Sequence, residues 1–255
     1  MKPFYYHTCG HGTINLVLLH GWGLNAKIWD TILSWLNPYF RVYLIDLPGF
    51  GYNQRYEATL LREMSQFLVP IIPEDSFVLG WSLGGLVASY LAITQPHKIK
   101  GLITVASSPC FIKKVHWPGI KMQTLIEIKK QLNKNFYRTL ERFFILQTIG
   151  SQTAIKDIHT FNKVILSCSI PRLSALENSL NILCNTDLRN ALLQVSCPFL
   201  RIYGALDGLV PRSISRLLDE MYPNSKSIIM QKAAHAPFLS HPTLFCQHII
   251  NFIKA

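Results

Sequence analysis

Acidic groups are scarce in this chain of 255 residues: 14 Asp and Glu stand against 25 Lys and Arg, a formal net charge of +11. It also lacks any uninterrupted apolar run long enough to span a bilayer, and the stretch that begins at Met1 has no apolar block of signal-peptide length. A soluble, intracellular protein is therefore expected, cytoplasmic and without stable membrane association. The six cysteines, Cys9, Cys110, Cys168, Cys184, Cys197 and Cys246, are scattered with no C-x-x-C spacing, which argues against a disulfide framework. Most are expected to be small buried apolar residues. Neither a Walker A loop, a dinucleotide G-x-G-x-x-G nor a metal-ligand cluster is present, so no metal and no cofactor is expected. Internal repeats and low-complexity tracts are missing too.

What the chain does have is alternation. Apolar strand-like runs recur at Leu16–Leu19, Val42–Ile45, Phe77–Leu79, Leu102–Val105, Phe199–Tyr203 and Ser227–Met230, mostly separated by stretches of helical pattern. Such alternation predicts an α/β fold, a mainly parallel sheet flanked by helices. Between the fourth and fifth runs, from about Cys110 to Asp187, the patterns are helical and no strand is convincing. The expectation is one domain, a core of residues 1–110 and 188–255 with an inserted helical lid over 111–187.

The third run leads into Gly80-Trp81-Ser82-Leu83-Gly84, a serine between two glycines where a buried strand turns into a helix. This strand-turn-helix setting is what the G-x-S-x-G nucleophile elbow requires, because only small neighbours let strand and helix approach closely enough. A serine at neutral pH is a poor nucleophile and needs a base and a carboxylate to orient that base. Downstream, Asp207 lies in a Gly-rich loop after the fifth run and His235 in a loop after the last one. Their order after Ser82 is the one expected of an elbow of this kind. Asp46 precedes the serine and reads as structuring its own turn, and Asp187 reads as a helix-start residue. His241 lies near a helix start, His248 falls inside the C-terminal helix, and His7, His11, His97, His116 and His159 lack a strand-end setting. For the oxyanion of an acyl-transfer intermediate, the backbone N–H groups of Leu83 and of Trp22, in His20-Gly21-Trp22-Gly23, are the expected donors.

The positive charge is concentrated. Between Phe111 and Lys163 ten basic residues face three acids, seven of the eleven excess charges in about a fifth of the chain. Such a field attracts a polyanionic partner. Within Lys130 to Gln147, Lys130, Lys134, Arg138 and Arg142 recur every fourth residue along one helical flank, with Phe136, Leu140, Phe143 and Phe144 on an apolar face. With basic residues interleaved with pocket aromatics and no recognition motif beside them, no nucleic-acid partner is expected.

These segments, together with Asp46-Leu47-Pro48-Gly49-Phe50-Gly51, Val105-Ala106-Ser107-Ser108-Pro109, Trp117-Pro118-Gly119-Ile120-Lys121 and Lys232-Ala233-Ala234-His235-Ala236-Pro237-Phe238, resemble the α/β-hydrolase superfamily. Within it the chain resembles, over nearly its whole length, the family of pimeloyl-[acyl-carrier protein] methyl ester esterases of biotin synthesis. The resemblance implies hydrolysis of the methyl ester that caps a pimeloyl chain still attached to acyl-carrier protein. It implies Ser82 as nucleophile, His235 as general base then acid, and Asp207 as its orienter. Trp22, Leu83, Phe143, Phe144, Ile145, Leu146 and Gln147 are implied substrate contacts. The basic lid, through Lys134, Arg138 and Arg142, is expected to dock the acidic carrier, and the enzyme is expected to be a monomer. Ile155 and His159 depart from the resemblance, standing where basic residues would be expected. The alternatives are a general short-chain carboxylesterase or lipase-like hydrolase, and a ligand receptor that retains the triad. An aspartate-nucleophile dehalogenase or epoxide hydrolase is excluded by Ser82.

Overall fold

The computed structural model describes residues 3–168 and 170–255. Seven strands form one sheet in the order β1-β3-β2-β4-β5-β6-β7. They are β1 (Tyr6–Cys9), β2 (Ile14–Leu19), β3 (Phe40–Ile45), β4 (Ser76–Trp81), β5 (Ile99–Val105), β6 (Phe199–Gly204) and β7 (Lys226–Met230). Every pair is parallel except β1 with β3. The six apolar runs of the sequence became β2 to β7, whereas β1 was not expected. Its sequence Tyr-His-Thr-Cys has no apolar run, because an edge strand half in solvent needs none. Central β4 is buried along its whole length, as a parallel strand covered on both faces must be.

The helices are α1 (Leu33–Leu36), α2 (Leu61–Gln66), α3 (Leu83–Thr94), α4 (Met122–Lys134), α5 (Phe136–Thr148), α6 (Ala154–Leu166), α7 (Leu173–Asn185), α8 (Ser213–Met221), α9 (Pro237–Ser240) and α10 (Pro242–Lys254). Four of them, α4 to α7, are inserted between β5 and β6. The neck of this insertion is pinned where the Leu188 N–H donates to the Pro109 carbonyl at 2.8 Å. On the way in, the Trp117 indole donates to the Cys110 carbonyl at 2.8 Å, and the Arg189 guanidinium lies 5.0 Å from the Trp117 ring centroid.

Three sequence expectations are corrected here. The basic flank from Lys130 to Arg142 is not one helix: the chain breaks at Asn135 (φ −152°, ψ 89°), whose side chain accepts from the Arg138 N–H and caps α5. Asn is a strong cap former, and that outweighs the continuous four-residue spacing. Asp187 starts no α-helix. It follows α7 and binds Lys114 at 2.7 Å and Arg189 at 2.8 Å. Hydrogen bonds from Arg189, then from Lys114, hold its carboxyl well below the usual carboxylate range. All six cysteines are free, as the scattered spacing implied, but only Cys110 and Cys246 are buried and the other four are half-buried, so most do not sit in the core as expected.

Candidate active site

β4 ends at Trp81 and α3 begins at Leu83, so Ser82 alone makes the turn, at φ 54° and ψ −116°. The turn is possible only because Gly80 and Gly84 lie against each other: a Cβ on Gly84 would run into the backbone oxygens of Leu19 and His20, which cannot yield. The Ser82 N–H donates to the Val105 carbonyl at 2.9 Å, tying the elbow to β5.

The loop after β6 carries Asp207 and the loop after β7 carries His235, and both reach back over the same edge of the sheet. His235 Nε2 lies 2.9 Å from Ser82 Oγ and Nδ1 lies 2.7 Å from Asp207 Oδ2. An ionised carboxylate only accepts, so Nδ1 carries the proton and Nε2 is the acceptor that faces the serine hydroxyl. The other carboxylate oxygen of Asp207 accepts from the N–H groups of Leu209 at 2.8 Å and Val210 at 3.0 Å, which fixes its plane. All three side chains are buried. The structure thus brings together the residues that the sequence placed on three separate loops.

His235 is also held by its own main chain. Its N–H donates to the Gln147 carbonyl at 3.0 Å, at the end of α5, and its carbonyl accepts from the Trp81 indole at 2.7 Å. The Trp81 ring lies parallel to Phe161 of α6, with 6.1 Å between centroids. Nothing in the sequence marked Trp81 or the Gln147 carbonyl as partners of the histidine, because both contacts cross more than 80 residues of chain.

The loop after β2 packs against the inserted helices. Trp22 is buried with its ring 4.7 Å from Phe143 of α5 in an edge-on arrangement, and its indole donates to the Leu176 carbonyl of α7 at 3.1 Å. Asn25 donates to the Val164 carbonyl of α6 at 2.9 Å. Among the described residues, no backbone hydrogen bond engages the N–H of Trp22 or of Leu83, the two expected oxyanion donors. His20, in the same loop, is a buried structural residue. Its Nδ1 donates to the Gly21 carbonyl at 2.8 Å while Nε2 accepts from the Leu47 N–H at 2.9 Å. Burial pushes its imidazole below the ordinary range, against the nearby Asp46 charge. Asp46 itself accepts from the N–H groups of Ala26 at 2.7 Å and Tyr52 at 2.9 Å, so it builds its own turn.

Of the expected lid contacts, Phe143, Phe144 and Gln147 are buried, while Ile145 and Leu146 are exposed. The side-chain oxygen of Gln147 is buried without a hydrogen-bond partner among the described residues. A cleft of about 460 Å³ opens between α4 and α5, lined by Thr124, Ile128 and Gln131 on one side and Arg142, Phe143 and Leu146 on the other. Phe143 therefore borders both this cleft and Trp22. Lys130, Lys134, Arg138 and Arg142 are exposed, and among the described residues none of them forms an ion pair. Ile155 and His159 lie exposed on α6. No group of residues that could hold a metal ion occurs among the described residues, and no helix there is long and apolar enough to cross a membrane.

The profile of the α/β-hydrolase fold matches residues 14–242. Pimeloyl-[acyl-carrier protein] methyl ester esterase of Yersinia pseudotuberculosis serotype IB (strain PB1/+) is 48% identical over 254 residues, covering 100% of this chain and 98% of the relative. The protein of the same name from Pectobacterium carotovorum subsp. carotovorum (strain PC1) is 48% identical over 255 residues, with both chains covered completely. Among solved structures, an esterase from Exiguobacterium antarcticum superposes with a TM-score of 0.88 at 19% identity, covering 99% of this chain and 96% of that one, a likeness of fold alone. The chain belongs to the α/β-hydrolase family, in the branch that holds the pimeloyl-[acyl-carrier protein] methyl ester esterases.

Proposed function

We propose that this protein is a serine carboxylesterase that hydrolyses the methyl ester of pimeloyl-acyl-carrier protein, releasing methanol and the free distal carboxylate, in biotin synthesis. The observation that carries the chemistry is the hydrogen-bonded line Ser82–His235–Asp207 at the tip of the sheet. The substrate follows from the names of relatives that match end to end. Ser82 Oγ attacks the ester carbonyl carbon while its proton passes to His235 Nε2, and the carbonyl oxygen becomes an oxyanion facing the N–H groups of Leu83 and Trp22. As the C–O bond to methoxide breaks, His235 returns the proton and methanol leaves. A water molecule, deprotonated by the same imidazole, then hydrolyses the acyl-serine. Asp207 keeps the imidazole in the tautomer that both steps need.

The two faces of α5 serve the two ends of the substrate. Arg138 and Arg142, with Lys134 at the end of α4, form the unpaired positive surface to which an acidic carrier docks, whereas Phe143, Phe144 and Gln147 face inward. Trp22 and Phe143 wall the distal end of the acyl chain, and Leu146 borders its approach through the cleft. Docking outside keeps the carrier thioester away from Ser82 and lets the far ester arrive there. The reading places the reaction in the cytoplasm, carried out by a monomer without a cofactor. Product analysis with pimeloyl-carrier methyl ester tests it: methanol appears and the thioester stays intact, and release of free carrier would overturn the proposal.

A further inference from the structure

The carbonyl of Ser82 accepts three hydrogen bonds. Two come from the N–H groups of Gly85 at 3.0 Å and Leu86 at 3.3 Å, the bonds that any first helical turn makes. The third comes from outside the helix, from the Ser107 hydroxyl at 2.8 Å, in the loop that follows β5. Ser107 is buried, and Ala106 before it adopts φ 44°, so this loop too is bent into left-handed backbone to bring the hydroxyl there. On the helix side Gly85 makes room. A Cβ at that position would come within 2.5 Å of both the Cβ and the Oγ of Ser107.

The Ser82 carbonyl and the Leu83 N–H belong to one planar peptide unit and point in opposite directions. Whatever fixes the carbonyl therefore aims the N–H. Donation to the carbonyl oxygen also draws electron density from the amide nitrogen, which strengthens the N–H as a donor. We infer that Ser107 is a positioning residue of the reaction, one that aims and polarises the Leu83 N–H toward the oxyanion by holding the Ser82 carbonyl. It touches neither substrate nor the imidazole. The inference rests on the reading of Leu83 as an oxyanion donor.

The test compares wild type with Ser107→Ala and with Ser107→Cys, which fills nearly the same space with a weak donor. Two readouts are taken: kcat and KM on p-nitrophenyl acetate, and inhibition by hexyl trifluoromethyl ketone. Ser82 Oγ adds to the carbonyl carbon of that ketone to give a hemiketal oxyanion, the proton passing to His235. Removing a whole oxyanion donor costs about 10²–10³ in kcat, and here the donor stays but loses its support, so a fall of roughly tenfold in kcat is expected. KM should stay within about twofold, and ketone affinity should drop by the same factor as kcat. A merely structural serine would leave ketone affinity untouched. The inference is overturned if kcat of Ser107→Ala is unchanged, or if kcat falls while the ketone binds as tightly as before. Ser82→Ala separates the two levels: if that variant stays active the site reading itself fails, whereas an inactive Ser82→Ala beside a fully active Ser107→Ala sinks the role of Ser107 alone.

Discussion

At φ 54° and ψ −116°, Ser82 is held in backbone that a residue with a Cβ rarely enters, and such a position costs on the order of 1–3 kcal/mol. The strain persists because β4, α3 and the Val105 carbonyl leave the chain no other path. Two consequences separate cleanly. Ser82→Ala removes the hydroxyl and keeps the strain, so hydrolysis should fall by roughly 10⁴-fold or more while the unfolding midpoint barely moves. Ser82→Gly is equally inactive but releases the strain, and should unfold at higher urea, by about 1 kcal/mol relative to Ser82→Ala. His20 gives a pH-dependent case. Burial lowers its folded pKa, so in the unfolded chain it takes up a proton as pH falls through about 6.5 while the folded chain does not. Its contribution is full above that pH and lost progressively below it. His20→Leu should be less stable than wild type by roughly 1–3 kcal/mol at pH 7, from the Leu47 N–H left without its partner. Denaturation midpoints should show that gap narrowing toward about pH 5; a constant gap would mean that the imidazole does not titrate as its burial requires.

Among the elements, α5 does the most. Its inward residue Phe143 reaches Trp22, its Gln147 carbonyl holds the His235 N–H, and its outward face carries Arg138 and Arg142. A charge reversal on the outer face therefore separates docking from catalysis. Arg138→Glu with Arg142→Glu should raise KM for a carrier-bound ester about tenfold or more, through like-charge repulsion, and leave a small free ester within about twofold. Equal losses on both substrates would mean that the double variant disturbs the His235 anchor instead. The elements also mark where sequence pattern stops being informative. The apolar runs gave β2 to β7 because a doubly covered parallel strand must be apolar throughout, and the elbow was legible because its glycines are set by local sterics. The strand β1 was invisible since its stability comes from pairing with β3. The break at Asn135 was hidden by a charge spacing that ran through it, although the cap residue itself was in plain view.

For the molecule as a whole, the excess of positive charge is uneven, and Lys130, Lys134, Arg138 and Arg142 lack ion pairs among the described residues, so their field reaches solvent. Attraction of this kind is screened over roughly 8 Å at physiological ionic strength and over about 3 Å at 1 M salt. Raising salt should accordingly lower kcat/KM for a carrier-bound ester by an order of magnitude or so, with hydrolysis of p-nitrophenyl acetate changed by less than about twofold. A salt-independent rate on the carrier-bound ester would remove the electrostatic argument for docking. The sequence by itself determined the class of fold, the elbow at Ser82 and the choice of Asp207 and His235, because strand periodicity and small residues at a tight turn are local properties and the order of the residues is written in the chain. Only the tertiary structure decided what fixes those groups in place: the Trp81 indole and the Gln147 carbonyl on His235, the Ser107 hydroxyl on Ser82, and the inserted helices α5 and α7 against Trp22. Each of these contacts joins segments far apart in the chain, and their partners are ordinary buried residues whose spacing carries no signal until the sheet brings its loops to one edge.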